Sequence, residues 1–195
     1  LKVSRNSDGS YAFDSHVYNE KDGLQNCDFN MRAIKTLRDG TVVTGGLYGL
    51  NVFNPDNIHY NKVLPKVMFS ALYLFGKEIE VGKEYDGRVI LPESLNIFRE
   101  IGLNYDQNLF TIELSSDNFC LPEKTTYMYR LEGLSDEWVT LPSGTSRVTF
   151  TSLAPGTYTL NVKATNSDGY EGTDVACLTI VVHPPFWLAW WAWLC

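Results

Sequence analysis

Two stretches of strict alternation restrict what this chain can fold into. Tyr127, Tyr129 and Leu131 alternate with Met128, Arg130 and Glu132, and Tyr158, Leu160, Val162 and Ala164 alternate with Thr157, Thr159, Asn161 and Lys163. A side-chain period of two, built from aromatic and β-branched residues, is the pattern of half-buried antiparallel strands. Pro155-Gly156 opens the second stretch with a turn, and Asp168-Gly169 closes it with another. Further strands are expected at 66–75, 88–91, 101–104, 108–115, 137–141, 147–151 and 174–182. No long run keeps a 3.6 period. The expected fold is therefore all-β, with a fibronectin- or immunoglobulin-like sandwich of at least about seven strands.

The N-terminal part carries a different rhythm. Asp8-Gly9, Asp22-Gly23 and Asp39-Gly40 punctuate it, and between Ala33 and Pro55 three short strands are separated by an Asp-Gly turn and a Tyr-Gly turn. A meander of this kind is the repeating unit of a β-propeller blade. One blade cannot close a propeller. The segment is either the remnant of a longer propeller or a layer added to the sandwich, and the meander favours the remnant. Asn54-Pro55-Asp56-Asn57, with Asn61 and Pro65 after it, forms a polar, turn-forming linker. The reading is thus a partial blade over 1–60 and a sandwich over 65–183.

After His183-Pro184-Pro185 the pattern changes again. Residues 186–195 carry no charge and include four of the five tryptophans. Tryptophan favours the membrane interface because its ring is apolar while its N–H needs a partner. Ten helical residues reach only about 15 Å, half of a hydrocarbon core of about 30 Å. Residues 184–195 therefore read as the start of a transmembrane helix, whose first turn follows two prolines. A hydrophobic terminal strand or a tail docked on the sandwich is the alternative.

The run Tyr-x-Tyr-x-Leu-Glu-Gly from Tyr127 to Gly133, then Trp138, then Leu153-x-Pro-Gly-x-Tyr-x-Leu-x-Val-x-Ala-x-Asn to Asn166, resembles the Y_Y_Y domain. That domain is the membrane-proximal β-sandwich in the periplasmic region of bacterial hybrid two-component sensors. The motif's structural residues here are Tyr127, Tyr129, Leu131, Gly133, Trp138, Pro155, Gly156, Tyr158, Asn166 and Gly169. Asp22-Gly23-Leu24 and the Gly45-to-Phe53 segment resemble the propeller repeat of the same sensors. The resemblance implies a non-enzymatic fragment on the periplasmic face of the inner membrane. In that reading an oligosaccharide binds at the propeller, the sandwich pairs as a homodimer, and a transmembrane helix carries the signal to a cytoplasmic histidine kinase. It also implies that Leu1 is not a true beginning.

Other chemistry finds little support. The net charge is −7 with no basic run, which disfavours nucleic acid, since binding it relies on clustered Lys and Arg. Cys27, Cys120, Cys177 and Cys195 lack metal-ligand spacing; Cys120 and Cys177 share one domain and could pair, although strand cysteines usually act as small buried residues. His16, His59 and His183 are scattered. The acid pairs Asp136-Glu137 and Glu78/Glu80 sit in or beside strands and turns, where solvated carboxylates are common, so no catalytic residue is assigned. Gly45-Gly46 precedes a strand and has no phosphate-loop lysine, so no cofactor is expected. Tyr48, Tyr60, Tyr73, Tyr105 and Tyr170 remain as rings able to stack on a sugar, whereas Trp138 and the motif tyrosines read as core. No ligand-binding residue is fixed. The competing function is an accessory sugar-binding or spacer module of a secreted or surface carbohydrate-active protein.

Overall fold

The computed structural model describes residues 2–14 and 17–185. They divide into two compact units, Leu1–Tyr60 and Asn61–Cys195. In the first unit, β1 (Lys2–Arg5) and β2 (Tyr11–Asp14) form a hairpin. β3 (Phe29–Thr36), β4 (Val42–Gly46) and β5 (Gly49–Phe53) form an antiparallel three-stranded sheet. The expected turns are present: Gly40 lies at φ 85°, where a Cβ would be strained, and Leu47-Tyr48 joins β4 to β5. Between Phe29 and Ile34 the register of β3 slips, with Arg32 at φ 64°, a bulge that the strand pattern does not announce. The described residues of this unit hold a meander and a hairpin, not a closed propeller. Apolar side chains of this sheet stay open, with Ile34 66%, Leu50 68% and Val52 63% exposed.

The second unit is a two-sheet sandwich. Its strands are β6 (Val67–Leu74), β7 (Lys77–Glu78), β8 (Glu84–Tyr85), β9 (Arg88–Val89), β10 (Glu100–Asn104) and β11 (Leu109–Ser116). They are followed by β12 (Thr126–Glu132), β13 (Val139–Thr140), β14 (Arg147–Thr151), β15 (Gly156–Thr165) and β16 (Ala176–His183). One sheet runs β10-β16-β15-β12-β13 and the other β14-β11-β6-β7, with β8 and β9 as a separate hairpin. All pairings are antiparallel except β10 with β16, which run parallel.

Alternation places the core as expected. Tyr158, Leu160, Val162 and Ala164 of β15, Leu178, Ile180 and Val182 of β16, and Tyr127 and Leu131 of β12 face inward. Phe110, Ile112 and Leu114 of β11 and Val148 and Phe150 of β14 meet them from the other sheet. Each such aliphatic side chain withdrawn from water contributes about 1.5–3 kcal/mol before conformational entropy is charged against it. In β6 the phase breaks: Phe69 is buried, and so are Leu72 and Leu74, because Ser70 is an extra residue opposite the Glu113–Leu114 step.

Helix is limited to α1 (Leu95–Phe98) and three short 3₁₀ turns among the described residues. Ser94 caps α1 and Arg99 ends it in the left-handed region. No described helix is long and apolar enough to cross a membrane. The membrane-helix expectation for 184–195 falls, from residue 186 onward, outside the described residues. Cys120 and Cys177 are free and exposed, so the pairing considered for them does not occur.

Candidate functional site

The motif residues serve one corner and one loop of the sandwich. Tyr158 is 8% exposed, and its hydroxyl donates to the Ala154 carbonyl oxygen at 2.9 Å, closing the turn in which Pro155 and Gly156 lie at the surface. Gly133, at φ 94°, lies over the Tyr158 ring; a Cβ there would sit 3.0 Å from Cδ1. Glycine is required at that position for two separate reasons, backbone conformation and space. Tyr129 packs edge-on against Phe150, ring centroids 6.0 Å apart. Tyr127 and Leu131 are buried on the same strand, and burial pushes the Tyr127 phenol above its ordinary pKa.

Trp138 departs from its expected place. It is half-buried and belongs to the outer face of the five-stranded sheet, not to the core. Its ring lies against the Arg130 guanidinium at 5.1 Å and the Lys163 ammonium at 4.3 Å. The reason is register. Tyr129 pairs with Val139, so the preceding Trp138 falls opposite Arg130, on the outward side of the pleat.

Asn166 and Gly169 form the more informative constellation. Asn166 follows β15 and is 3% exposed. Its Oδ1 accepts from the backbone N–H groups of Asp168 (3.0 Å) and Tyr170 (2.9 Å), shaping a turn in which Gly169 takes φ 85°. Its Nδ2 donates to the carbonyl oxygens of Asn61 (2.6 Å) and Val63 (3.0 Å), in the segment that leads into β6. Asp168 Oδ2 accepts from the Asn61 N–H at 2.7 Å. Asn61 Nδ2 reaches Asn118 Oδ1, and Asn118 donates to Thr125 Oγ1 in the interior. Gly172 is buried against Pro65, whose carbonyl oxygen occupies the place a Cβ would need. The entering segment 61–65 is thus clasped by the β15–β16 turn, with hydrogen bonds on both edges of one asparagine.

The outer face of the four-stranded sheet holds a polar triad. Tyr73 Oη donates to Glu113 Oε2 at 2.8 Å, and Arg147 Nε donates to Glu113 Oε1 at 3.0 Å. Burial opposes ionisation of Glu113, but these hydrogen bonds win and hold its pKa below the ordinary value. With both oxygens engaged it is not placed to act as a base. A depressed carboxylate stabilises the fold above its unfolded pKa, and the contribution is lost as pH falls through the folded one. The stability difference between the native chain and Glu113→Gln is therefore expected to be constant from neutral pH down to the ordinary carboxylate range. It should vanish in more acid solution, and thermal unfolding across pH measures it.

The remaining candidates do not converge. Glu78, Asp136 and Glu137 are exposed, and Glu80 pairs with Lys83 at 2.6 Å. His59 and His183 are exposed in different units, and His16 lies outside the described residues. Tyr48, Tyr60 and Tyr105 are exposed, and Tyr73 and Tyr170 are half-buried. Among the described residues no His, Cys, Asp and Glu cluster could hold a metal.

Comparison with known proteins agrees with this picture. Residues 118–183 match the Y_Y_Y domain. Histidine kinase P4 of Formosa agariphila is 27% identical over 176 residues, which are 90% of this chain and 12% of that protein. Among solved structures, the extracellular domain of a protein described as a hybrid two component system, BT3049 from B. thetaiotaomicron, superposes with TM-score 0.69. It is 24% identical and matches 91% of this chain and 23% of its own length. The extracellular domain of BT4673 from the same organism, likewise described as a hybrid two component system, gives TM-score 0.55 at 25% identity, covering 92% of this chain and 22% of its own. The chain thus spans under a quarter of these relatives. With the tyrosine corner, the clasping asparagine and the sandwich in place, residues 118–183 are similar to the Y_Y_Y domain, in a chain similar to the extracellular regions of two-component sensors.

Proposed function

We propose that the chain is an extracytoplasmic sensor fragment of a two-component receptor, in which the sandwich relays an oligosaccharide-binding event from a propeller to a membrane helix and a histidine kinase. The clasp carries this reading. The segment that leaves the first unit is not a loose tether but is held by backbone and side-chain hydrogen bonds to the turn between β15 and β16. A displacement arriving along that segment acts directly on the hairpin whose second strand leads to Pro184 and Pro185. The first unit fits the same reading: a cavity of 940 Å³ opens on its sheet beside Phe29, Ile34, Leu50 and Val52, as expected of a blade whose neighbour covers it. Pairing of two sandwiches and anchoring through 184–195 complete the proposed assembly.

A ligand shifts such a receptor only by its differential affinity for the two arrangements, so coupling and binding are separable. In the receptor carrying this region, Asp168→Ala removes the hydrogen bond that the Asn61 N–H donates to Asp168, while Asn166 keeps its bonds to Asn61 and Val63. Oligosaccharide affinity is expected to stay within about twofold while the ligand-induced change in kinase activity falls by about fivefold or more. Unchanged control of the kinase would remove the relay role.

A further inference from the structure

Register defines the end of the sandwich from which the chain departs. His183 pairs with Asn104 at the end of β10, and Val182 with Gly156 at the start of β15. The loop 105–108 crosses from β10 to β11, and there the Phe75 N–H donates to the Leu109 carbonyl oxygen at 2.9 Å. Four largely apolar side chains stay open to solvent at this end. Phe75 is 52% exposed, Tyr105 41% and Leu109 36%, and Pro155 is exposed in its turn.

The fold does not account for Phe75. With Gly76 it makes the two-residue turn between β6 and β7, at φ 50° followed by φ 78°. Positive φ at both central positions is the turn that asparagine, aspartate and glycine favour, and a bulky side chain there is strained. Phe75 does not enter the core either. A ring that suits neither its turn nor the interior, at the tip of a hairpin, is placed for a partner outside the sandwich.

The sequence beyond His183 says what that partner is. Residues 186–195 carry no charge and include four tryptophans, a composition suited to the lipid interface. Phe186 follows His183 by three residue steps, at most about 11 Å of extended chain, and the headgroup zone is about 5–7 Å deep on each side of a bilayer. With 186–195 in lipid, a rim around His183 is within a side chain's reach of the headgroups. Charges near this end are mixed, Lys77 and Arg88 standing against Asp86 and Asp106, so apolar contact and not net charge is the attraction.

We propose that the rim formed by Phe75, Tyr105, Leu109 and Pro155 is a lipid-contact surface that seats this end of the sandwich in the headgroup layer of a bilayer. The inference rests on the membrane anchor of the proposed function and adds the surface by which the sandwich itself touches lipid. Rings with an apolar body or a polar tip are favoured at that depth. A sandwich held at its rim as well as by its chain keeps a fixed tilt on the bilayer.

The test uses the receptor carrying this region, in phosphatidylcholine nanodiscs, with one cysteine at a time bearing a fluorophore and with nitroxides on the lipid headgroups and acyl chains. The labelled positions are Asn108→Cys beside the rim, native Cys120 beyond the other end of β11, about 27 Å away, and native Cys195. Quenching at 108 is expected to exceed that at Cys120 by about threefold or more. Phe75→Asn, which suits the turn and leaves the melting temperature equal or higher, is expected to lower quenching at 108 by about twofold. Quenching at Cys195 with none at 108 would overturn the proposal and leave the anchor standing; quenching at neither would overturn both. A label at 108 that is shielded from water yet unquenched would put a second copy of the chain on the rim and overturn the lipid contact, as would quenching that Phe75→Asn leaves unchanged.

Discussion

Asn166→Ala is expected to lower the stability of the sandwich by about 3–4 kcal/mol, because four hydrogen bonds, each worth roughly 1 kcal/mol net, lose their partner at a site closed to water. Two are donated by Nδ2 to the Asn61 and Val63 carbonyl oxygens, and two are accepted from the Asp168 and Tyr170 amides. Alanine cannot replace either set, and the residue is 3% exposed, so water cannot readily step in. The melting temperature should fall by about 10 °C on the usual scaling for a domain of this size. Segment 61–65 should also become cleavable by protease below the transition, while the strands remain protected. A melting temperature within about 2 °C of the native chain would mean the clasp does not contribute as argued.

Phe110→Ala is expected to cost about 3–5 kcal/mol through lost burial and the cavity left behind. Phe110 is 1% exposed near the start of β11, paired with Leu74 on one side and Phe150 on the other, with the two phenyl centroids 5.3 Å apart. Phe119, which is 88% exposed, provides the contrast, and its replacement by alanine should change stability by less than about 0.5 kcal/mol. Urea unfolding of the two variants, with the m-value held in common, measures the difference. A Phe110 cost close to that of Phe119 would mean the inter-sheet core is not packed around this ring.

The strands were legible where side chains alternate without interruption. Thr157 to Thr165 contains the whole inward set of β15, and the turns at Pro155-Gly156 and Asp168-Gly169 bound it. β6 was legible as a strand but not in phase, since nothing marks Ser70 as the residue that drops out of pairing. Four-residue α1 and the two-residue strands β7, β8 and β9 are too short for any period to be seen. Trp138 misleads because a large aromatic beside strands usually reads as core, whereas here the register of a two-residue edge strand decides its side. Asn166 was visible as a motif letter, yet its partners Asn61 and Val63 lie more than a hundred positions earlier, and no local pattern links them.

The clasp and the end of β16 also set how the sandwich bears load. The entering segment is gripped at the turn between β15 and β16, and the chain departs at His183, at the far end of the same hairpin. Tension between these points pulls along the eight residues of β16, a lever of about 26 Å. Its hydrogen bonds to β15 and β10 lie crosswise to the pull and share it, instead of opening one after another. Such a hairpin stretches little before it yields as a unit, so in the proposed relay movement at its clasped end would arrive at Pro184 with little lost along the way.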